Sequence, residues 1–314
     1  MGQCLYCYEV LENGETDFHT KCSKKLFGTN TAPILEYENN EIEKLALQVV
    51  SSHITVTGAQ PKLSLSIEEK TKVSAPKKFT IVGMWGNYIL KPPTAHYPEL
   101  PEVEDLTMHL ASIAKISTVP HSLIRMKSGE LAYITKRIDR SNSGLVHMED
   151  MCQITDRLSE QKYQGSYEQI AKAIKLHSSN PGLDIVNFFE MVVFSFLTGN
   201  ADMHLKNFSL IQVERNSFVL SPAYDMVATH LVLPSDTEDL ALTLNGKKKK
   251  IKKSDFIAAF NGANLEIKQQ ENIFLKFEKA KDKWLAFIQK SFLSPTLKMA
   301  YIELINLRFE RLAN

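Results

Sequence analysis

Apolar positions change their spacing along this chain. In EIEKLALQVVSS, residues 41–52, Leu45, Ala46, Val49 and Val50 share one face, which predicts a helix. In HITVTGAQPKLSLSI, Ile54 and Val56, then Leu63, Leu65 and Ile67, alternate with polar residues. That pattern predicts two strands, with Gly58 to Pro61 as the turn between them. KKFTIVGMWGNYILKPP continues as strand and ends at Lys91, before a Pro-Pro stop. PEVEDLTMHLASIAKI reads as a helix with acids in its first turn, where the helix dipole favours them. GELAYITKRIDRS is a further strand. From residue 149 helical spacing dominates, in SYEQIAKAIKLHS, GLDIVNFFEMVVFSFLTG and ENIFLKFEKAKDKWLAFIQKSF. A strand-rich half followed by a helix-rich half predicts an α+β fold of two lobes with a cleft between them.

Composition narrows the function classes. The chain has 314 residues, 44% of them hydrophobic, enough for a large core and two lobes. Its 37 basic and 36 acidic side chains leave a formal charge of +1, so no global field draws it to nucleic acid or membrane. No uninterrupted apolar run reaches the length of a membrane span. The start, MGQCLYCYEV, lacks the pattern of a secretory signal, and Tyr6 stands where a myristoylation signal requires Ser or Thr. Three of the four cysteines fall within the first 22 residues, which suits a reducing cytosol and a cytoplasmic protein better than a disulfide framework.

Those three cysteines belong to a separate small unit, residues 1–30. Cys4, Cys7, His19 and Cys22 follow the spacing C-x2-C-x11-H-x2-C. Such a set can supply four ligands to tetrahedral Zn²⁺, and a segment this small needs metal to order it. The alternative is a group of free thiols beside an unrelated histidine.

The densest chemistry lies in FLTGNADMHLKNFSLI, residues 196–211, directly after an apolar helix that Gly199 can end. Asp202, His204, Lys206 and Asn207 would then sit in the loop that this helix delivers. FSLIQVERNSFVLSP reads as a hairpin turning between Glu214 and Ser217, which would bring Asp225 of PAYDM back towards Asp202. Transfer of a phosphoryl group to a hydroxyl requires these parts: one carboxylate to take the hydroxyl proton, and an amide oxygen with a second carboxylate to hold Mg²⁺. His204 and Lys206 would fix the loop or meet the transferring phosphate. Two other readings stay open: zinc catalysis by Asp202 with His204, which Lys206 would oppose, and a plain helix-capping loop.

GNADMHLKNFSL followed by PAYDM resembles the signature of HipA-family toxin Ser/Thr kinases. TVTGAQPKLSL is similar to that family's Gly-rich loop, YILKPP to its ATP-lysine strand, and VEDLTMHLA to the helix carrying the lysine's glutamate partner. ITKRIDR is similar to the hinge strand, and MEDMCQ to the stretch opening the helical lobe. The likeness runs over residues 50–260 in the family's order. It implies a protein-kinase-like, HipA-like fold: a strand-rich N-lobe over 31–140 and a helical C-lobe over 141–314. It implies Asp202 as catalytic base, Asn207 and Asp225 as Mg²⁺ ligands, and Lys91 on the α/β-phosphates of ATP. Glu104, rather than Glu102, would orient Lys91. Backbone of Lys136, Arg137 and Ile138 would border adenine, and Thr55, Val56, Thr57, Gly58, Ala59, Gln60 and Lys62 would form the phosphate loop.

The resemblance further implies an ATP- and Mg-dependent toxin that phosphorylates a translation protein such as an aminoacyl-tRNA synthetase. The family's autophosphorylated loop serine is replaced here by Thr55-Val-Thr57-Gly. Few residues precede the Gly-rich loop, as in short HipT-type kinases lacking the N-terminal subdomain. A separate small HipS-like protein and a HipB-like DNA-binding antitoxin are therefore expected partners. The basic stretch Lys247–Lys253 follows an Asn245-Gly246 turn signal and precedes a helix that Ser254 would cap. It reads as a solvated hairpin arm, and no direct specific nucleic-acid binding or membrane association is expected. A small-molecule or lipid kinase, and a nucleotide-binding pseudokinase, are the competing functions.

Overall fold

The computed structural model describes residues 2–12, 14–38, 41, 62–68, 77–82, 86–97, 99–141 and 144–313. Beyond Glu41, the helix expected over 41–52 lies outside the described residues, as do the strand around Ile54 and Val56 and the loop Thr55–Gln60. The chain divides into two compact units: Met1–Asp105 with Val119–Ile138, and Leu106–Thr118 with Asp139–Asn314.

The first unit opens with helix α1 (Thr20–Phe27) and continues with strands β1 (Leu63–Ile67), β2 (Phe79–Ile81) and β3 (Tyr88–Lys91). Helix α2 (Leu100–Ile113) begins in this unit, and β4 (His121–Arg125) and β5 (Leu131–Lys136) complete it. The five strands form one antiparallel sheet in the order β2-β1-β3-β5-β4. The stretch from Lys77 to Lys91 was expected to be one strand, but it supplies two, which flank β1. Leu65 faces Ile81 on one side and Tyr88 on the other. Gly86 passes close to β1, where a Cβ would lie 2.5 Å from the Leu65 carbonyl oxygen. Alternation buries Leu63, Leu65, Leu90 and Ile134. Phe27 of α1 packs edge-on to Phe79, with centroids 5.7 Å apart, and the Tyr88 hydroxyl donates to the Leu26 carbonyl at 3.2 Å.

The second unit is mostly helical. After the short strands β6 (Arg140–Ser141) and β7 (Gly144–Leu145), β8 (Met148–Asp150) leads into α3 (Met151–Ile154), α4 (Tyr167–His177) and α5 (Pro181–Thr198). The hairpin β9 (Ser209–Glu214) and β10 (Ser217–Leu220) pairs with β8, and α6 (Thr229–Val232), α7 (Lys253–Gly262), α8 (Ile267–Gln289) and α9 (Pro295–Ala313) follow. Ser166 caps α4 in a capping box with Gln169. Helix α5 packs against α4, α8, α9 and β10. By length and composition it could cross a membrane, but 67% of it is buried in the structure, as in a core helix.

The basic stretch forms the expected turn. Asn245 and Gly246 both have positive φ, 49° and 75°, and Leu244 and Lys247 exchange backbone hydrogen bonds. Lys247 pairs with Asp255 at 2.7 Å and Lys248 with Glu238 at 3.3 Å. Ser254 does not cap α7. The capping residue is Lys252, whose N–H donates to Asp255 Oδ2 at 2.9 Å, because an acid at the third helical position satisfies it.

Candidate functional site

Helix α5 ends at Gly199, which takes the left-handed conformation at φ 67°. The loop it delivers is fixed by local bonds. The Asn200 amide oxygen accepts from the Asp202 N–H at 3.0 Å, and Thr229 Oγ accepts from the Ala201 N–H at 2.8 Å. The buried Tyr167 hydroxyl donates to the Met203 carbonyl at 3.0 Å. A 3₁₀ turn over Leu205–Asn207 then folds Asn207 back, and its Nδ2 donates to the Asp202 carbonyl at 3.0 Å. With the amide nitrogen so used, Oδ1 is the atom Asn207 can offer a cation.

The hairpin β9–β10 turns through Arg215 and Asn216, as expected, and returns the chain to Asp225, which adopts φ 58°. Tyr224 anchors the return: its hydroxyl donates to the Lys206 carbonyl at 3.0 Å and lies 2.5 Å from Ser209 Oγ. Asp202 and Asp225 both act electrostatically on Tyr163 and His204. The Tyr163 hydroxyl donates to Asp202 Oδ1 at 2.5 Å. Burial first, then the Asp202 charge, pushes the Tyr163 phenol well above its ordinary value.

His204 is buried, with its ring edge-on to Tyr163 at 5.0 Å between centroids. Burial lowers its pKa despite the nearby Asp202 carboxylate, so the ring is neutral near pH 7. Lys206 turns to Asp150, the capping residue of α3, at 2.6 Å. Asp150 Oδ1 meanwhile accepts from the N–H groups of Cys152 and Gln153. Lys206 thus ties the loop to the start of a helix.

In the first unit Lys91, at the end of β3, pairs with Glu104 of α2 at 2.5 Å. Lys91 is 4% exposed and Glu104 1%, so the pair lies out of water. Glu102 is not the partner. Burial, then Glu99, Asp105 and Glu130, raise its carboxyl to about 7. At the expected hinge, the N–H of Lys136 donates to the Pro120 carbonyl and that of Arg137 to the Asn87 carbonyl, both at 2.8 Å. Lys62 is exposed just before β1. Cys4, Cys7, His19 and Cys22 come together, with their ligand atoms within 4.8 Å of one another.

Sequence reasoning missed Tyr163, Asp150, Asn200 and Tyr224. Asn200, Tyr224 and Asp150 stood within the recognised motifs as unremarked neighbours, whereas Tyr163 had no local signal.

The model of the HipA-like C-terminal domain matches residues 54–284. The chain belongs to the HipA-like C-terminal domain family. Relatives include a Sinorhizobium fredii protein named "Putative kinase Y4dM", 36% identical over 47% of this chain and 38% of its own length. A Haemophilus influenzae protein named "Putative kinase" is 32% identical over 56% of this chain and 52% of its own. The chain thus spans about half or less of these curated relatives. The fold of this HipA-family member is similar to that of a chain from the Shewanella oneidensis MR-1 toxin–antitoxin complex of HipA, HipB and operator DNA. There the TM-score is 0.68 at 20% identity, covering 83% of this chain and 65% of that one. It is also similar to the Helicobacter pylori proinflammatory kinase CtkA, with a TM-score of 0.54 at 17% identity, over 72% of this chain and 87% of that one.

Proposed function

We propose that this HipA-family chain is an ATP- and Mg-dependent Ser/Thr protein kinase acting as the toxin of a toxin–antitoxin system. The observation that carries the reading is the loop in which Asn207 is bonded back to Asp202 while Asp225 bears on the same Tyr163 and His204. The buried Lys91–Glu104 pair supports it independently.

Asn207 Oδ1 and the Asp225 carboxylate are hard oxygen donors that fit Mg²⁺. The cation, when bound with ATP, supplies neutralisation of phosphate charge. Lys91, held by Glu104, binds the α/β-phosphates. Asp202 takes the proton of the acceptor hydroxyl as its oxygen bonds to the γ-phosphorus, and the bond to the ADP oxygen breaks. Tyr163 holds the Asp202 carboxylate, and Lys206 with Tyr224 holds the loop.

The acceptor is a serine or threonine of a protein substrate, with a translation protein such as an aminoacyl-tRNA synthetase as the target class. Thr57 or Thr55 is the autophosphorylation site, where added phosphate charge lowers ATP affinity. A HipB-like DNA-binding antitoxin and a small HipS-like protein are its partners. The test is incubation of the purified chain with labelled ATP, Mg²⁺ and a cell lysate. A labelled lysate protein carrying phosphoserine or phosphothreonine is expected. Label found only in small molecules or lipids would overturn the protein-kinase reading.

A further inference from the structure

The cysteine–histidine cluster lies outside the proposed phosphoryl-transfer machinery, and its geometry is that of a metal site. Cys7 Sγ lies 3.4 Å from His19 Nδ1, and Cys22 Sγ lies 3.8 Å from it. A tetrahedral Zn²⁺, with bonds of about 2.3 Å to sulfur and about 2.0 Å to nitrogen, sets ligand atoms about 3.5–3.8 Å apart. His19 Nε2 is 3.0 Å from the Val10 carbonyl, a contact that only a protonated Nε2 can make as donor. This leaves the Nδ1 lone pair facing the sulfurs, the tautomer a metal requires. The His19 backbone N–H donates to Cys4 Sγ at 3.5 Å, which stabilises a thiolate. Cys4, His19 and Cys22 are buried. Three thiolates and one imidazole in a closed set match structural zinc.

The chain leaving the Cys4–Cys7 knuckle also reaches the residue next to Glu104. Tyr8, the residue after Cys7, is held at φ 63°, an unfavourable conformation for a bulky side chain. Its buried hydroxyl donates to Asp105 Oδ2 at 2.8 Å. Asp105 Oδ1 is bonded to His121 Nδ1 at 2.6 Å. Asp105 directly follows Glu104, the partner of Lys91. The same knuckle is fixed to the sheet, since the Leu5 carbonyl accepts from Ser122 Oγ at 3.0 Å and from the Leu123 N–H at 3.4 Å. These bonds cover β4, one of the two edge strands of the sheet among the described residues.

We propose that Cys4, Cys7, Cys22 and His19 Nδ1 bind one Zn²⁺, and that the bound metal seats the start of α2 through Tyr8 and Asp105, so that Glu104 meets Lys91. The thiol protons leave to solvent as the metal binds. Occupancy of this site would then govern whether the lysine–glutamate pair is formed. The inference stands apart from phosphoryl transfer, because both readouts below are taken without nucleotide.

The experiment uses the full chain, reduced and loaded with equimolar Zn²⁺, then exchanged into metal-free buffer. Elemental analysis should give one zinc per chain, and Co²⁺ in its place should show the visible absorption of a tetrahedral thiolate site. Amide hydrogen exchange is then compared for the loaded, chelator-stripped and reloaded protein. Exchange over residues 101–105 should quicken about tenfold on stripping, the order expected for losing a hydrogen bond to a charged group, and should recover on reloading. Tyr8→Phe should keep its zinc and show the same quickening. A chain that retains only trace zinc overturns the metal site. A chain that holds zinc, yet whose exchange over 101–105 is unmoved by stripping and by Tyr8→Phe, overturns the seating of α2.

Discussion

The Tyr163 hydroxyl donates to Asp202 Oδ1 at 2.5 Å, from 39 residues away in sequence. The proposed base is therefore held by a side chain outside its own motif. Tyr163→Phe removes this bond and keeps the ring against His204. It should lower kcat about tenfold and leave the KM for ATP unchanged, because the lost contact positions the base rather than the nucleotide. Steady-state kinetics with a peptide or protein acceptor checks this.

The pair formed by Lys91 and Glu104 gives a prediction about stability as well as binding. Lys91→Met alone strands a buried carboxylate and should cost about 3–5 kcal/mol in denaturant unfolding. Adding Glu104→Gln should recover most of that loss, since the uncompensated charge is gone. The double variant should still fail to bind ATP by calorimetric titration. Recovered stability together with recovered binding would remove Lys91 from the nucleotide site.

Glu102 makes stability depend on pH. Its carboxyl, raised from 4.5 to about 7 by burial and by Glu99, Asp105 and Glu130, binds its proton more tightly when folded. Its contribution is fully present below the unfolded value and is lost as pH rises through about 7. Glu102→Gln should therefore stabilise the chain at pH 8 by roughly 1–3 kcal/mol and change little near pH 4. Paired thermal melts at the two pH values test the sign.

Gly199 ends α5 in a conformation that side chains resist, and a Cβ there would lie 2.6 Å from Leu304 Cδ2. Gly199→Ala should destabilise the chain by about 1–3 kcal/mol and reduce turnover by displacing the loop that bears Asp202. Unfolding and activity measured on one preparation would show both losses.

Legibility in the sequence followed distance along the chain. The loop after Gly199, the hairpin and the return to Asp225 are local, so spacing and turn chemistry were enough to place them. The choice of Glu104 over Glu102 came from motif order, and the structure places Glu104 on Lys91 while Glu102 sits among other acids. Partners 39, 56 and 97 residues apart were invisible: Tyr163 with Asp202, Asp150 with Lys206, and Tyr8 with Asp105. No local pattern encodes those bonds, because the fold creates them. The single strand expected over Lys77–Lys91 failed for a similar reason, since apolar alternation does not report that β1 lies between its two halves. Ser254 looked like a cap by residue type, but Asp255 stabilises the preceding N–H more strongly as a charged acceptor.

The most direct test of the central claim compares wild type with Asp202→Asn in one experiment, following γ-phosphate transfer to protein and ATP binding side by side. The account predicts that Asp202→Asn binds Mg-ATP within about twofold of wild type and transfers no measurable phosphate. Transfer by Asp202→Asn at the wild-type rate would contradict it.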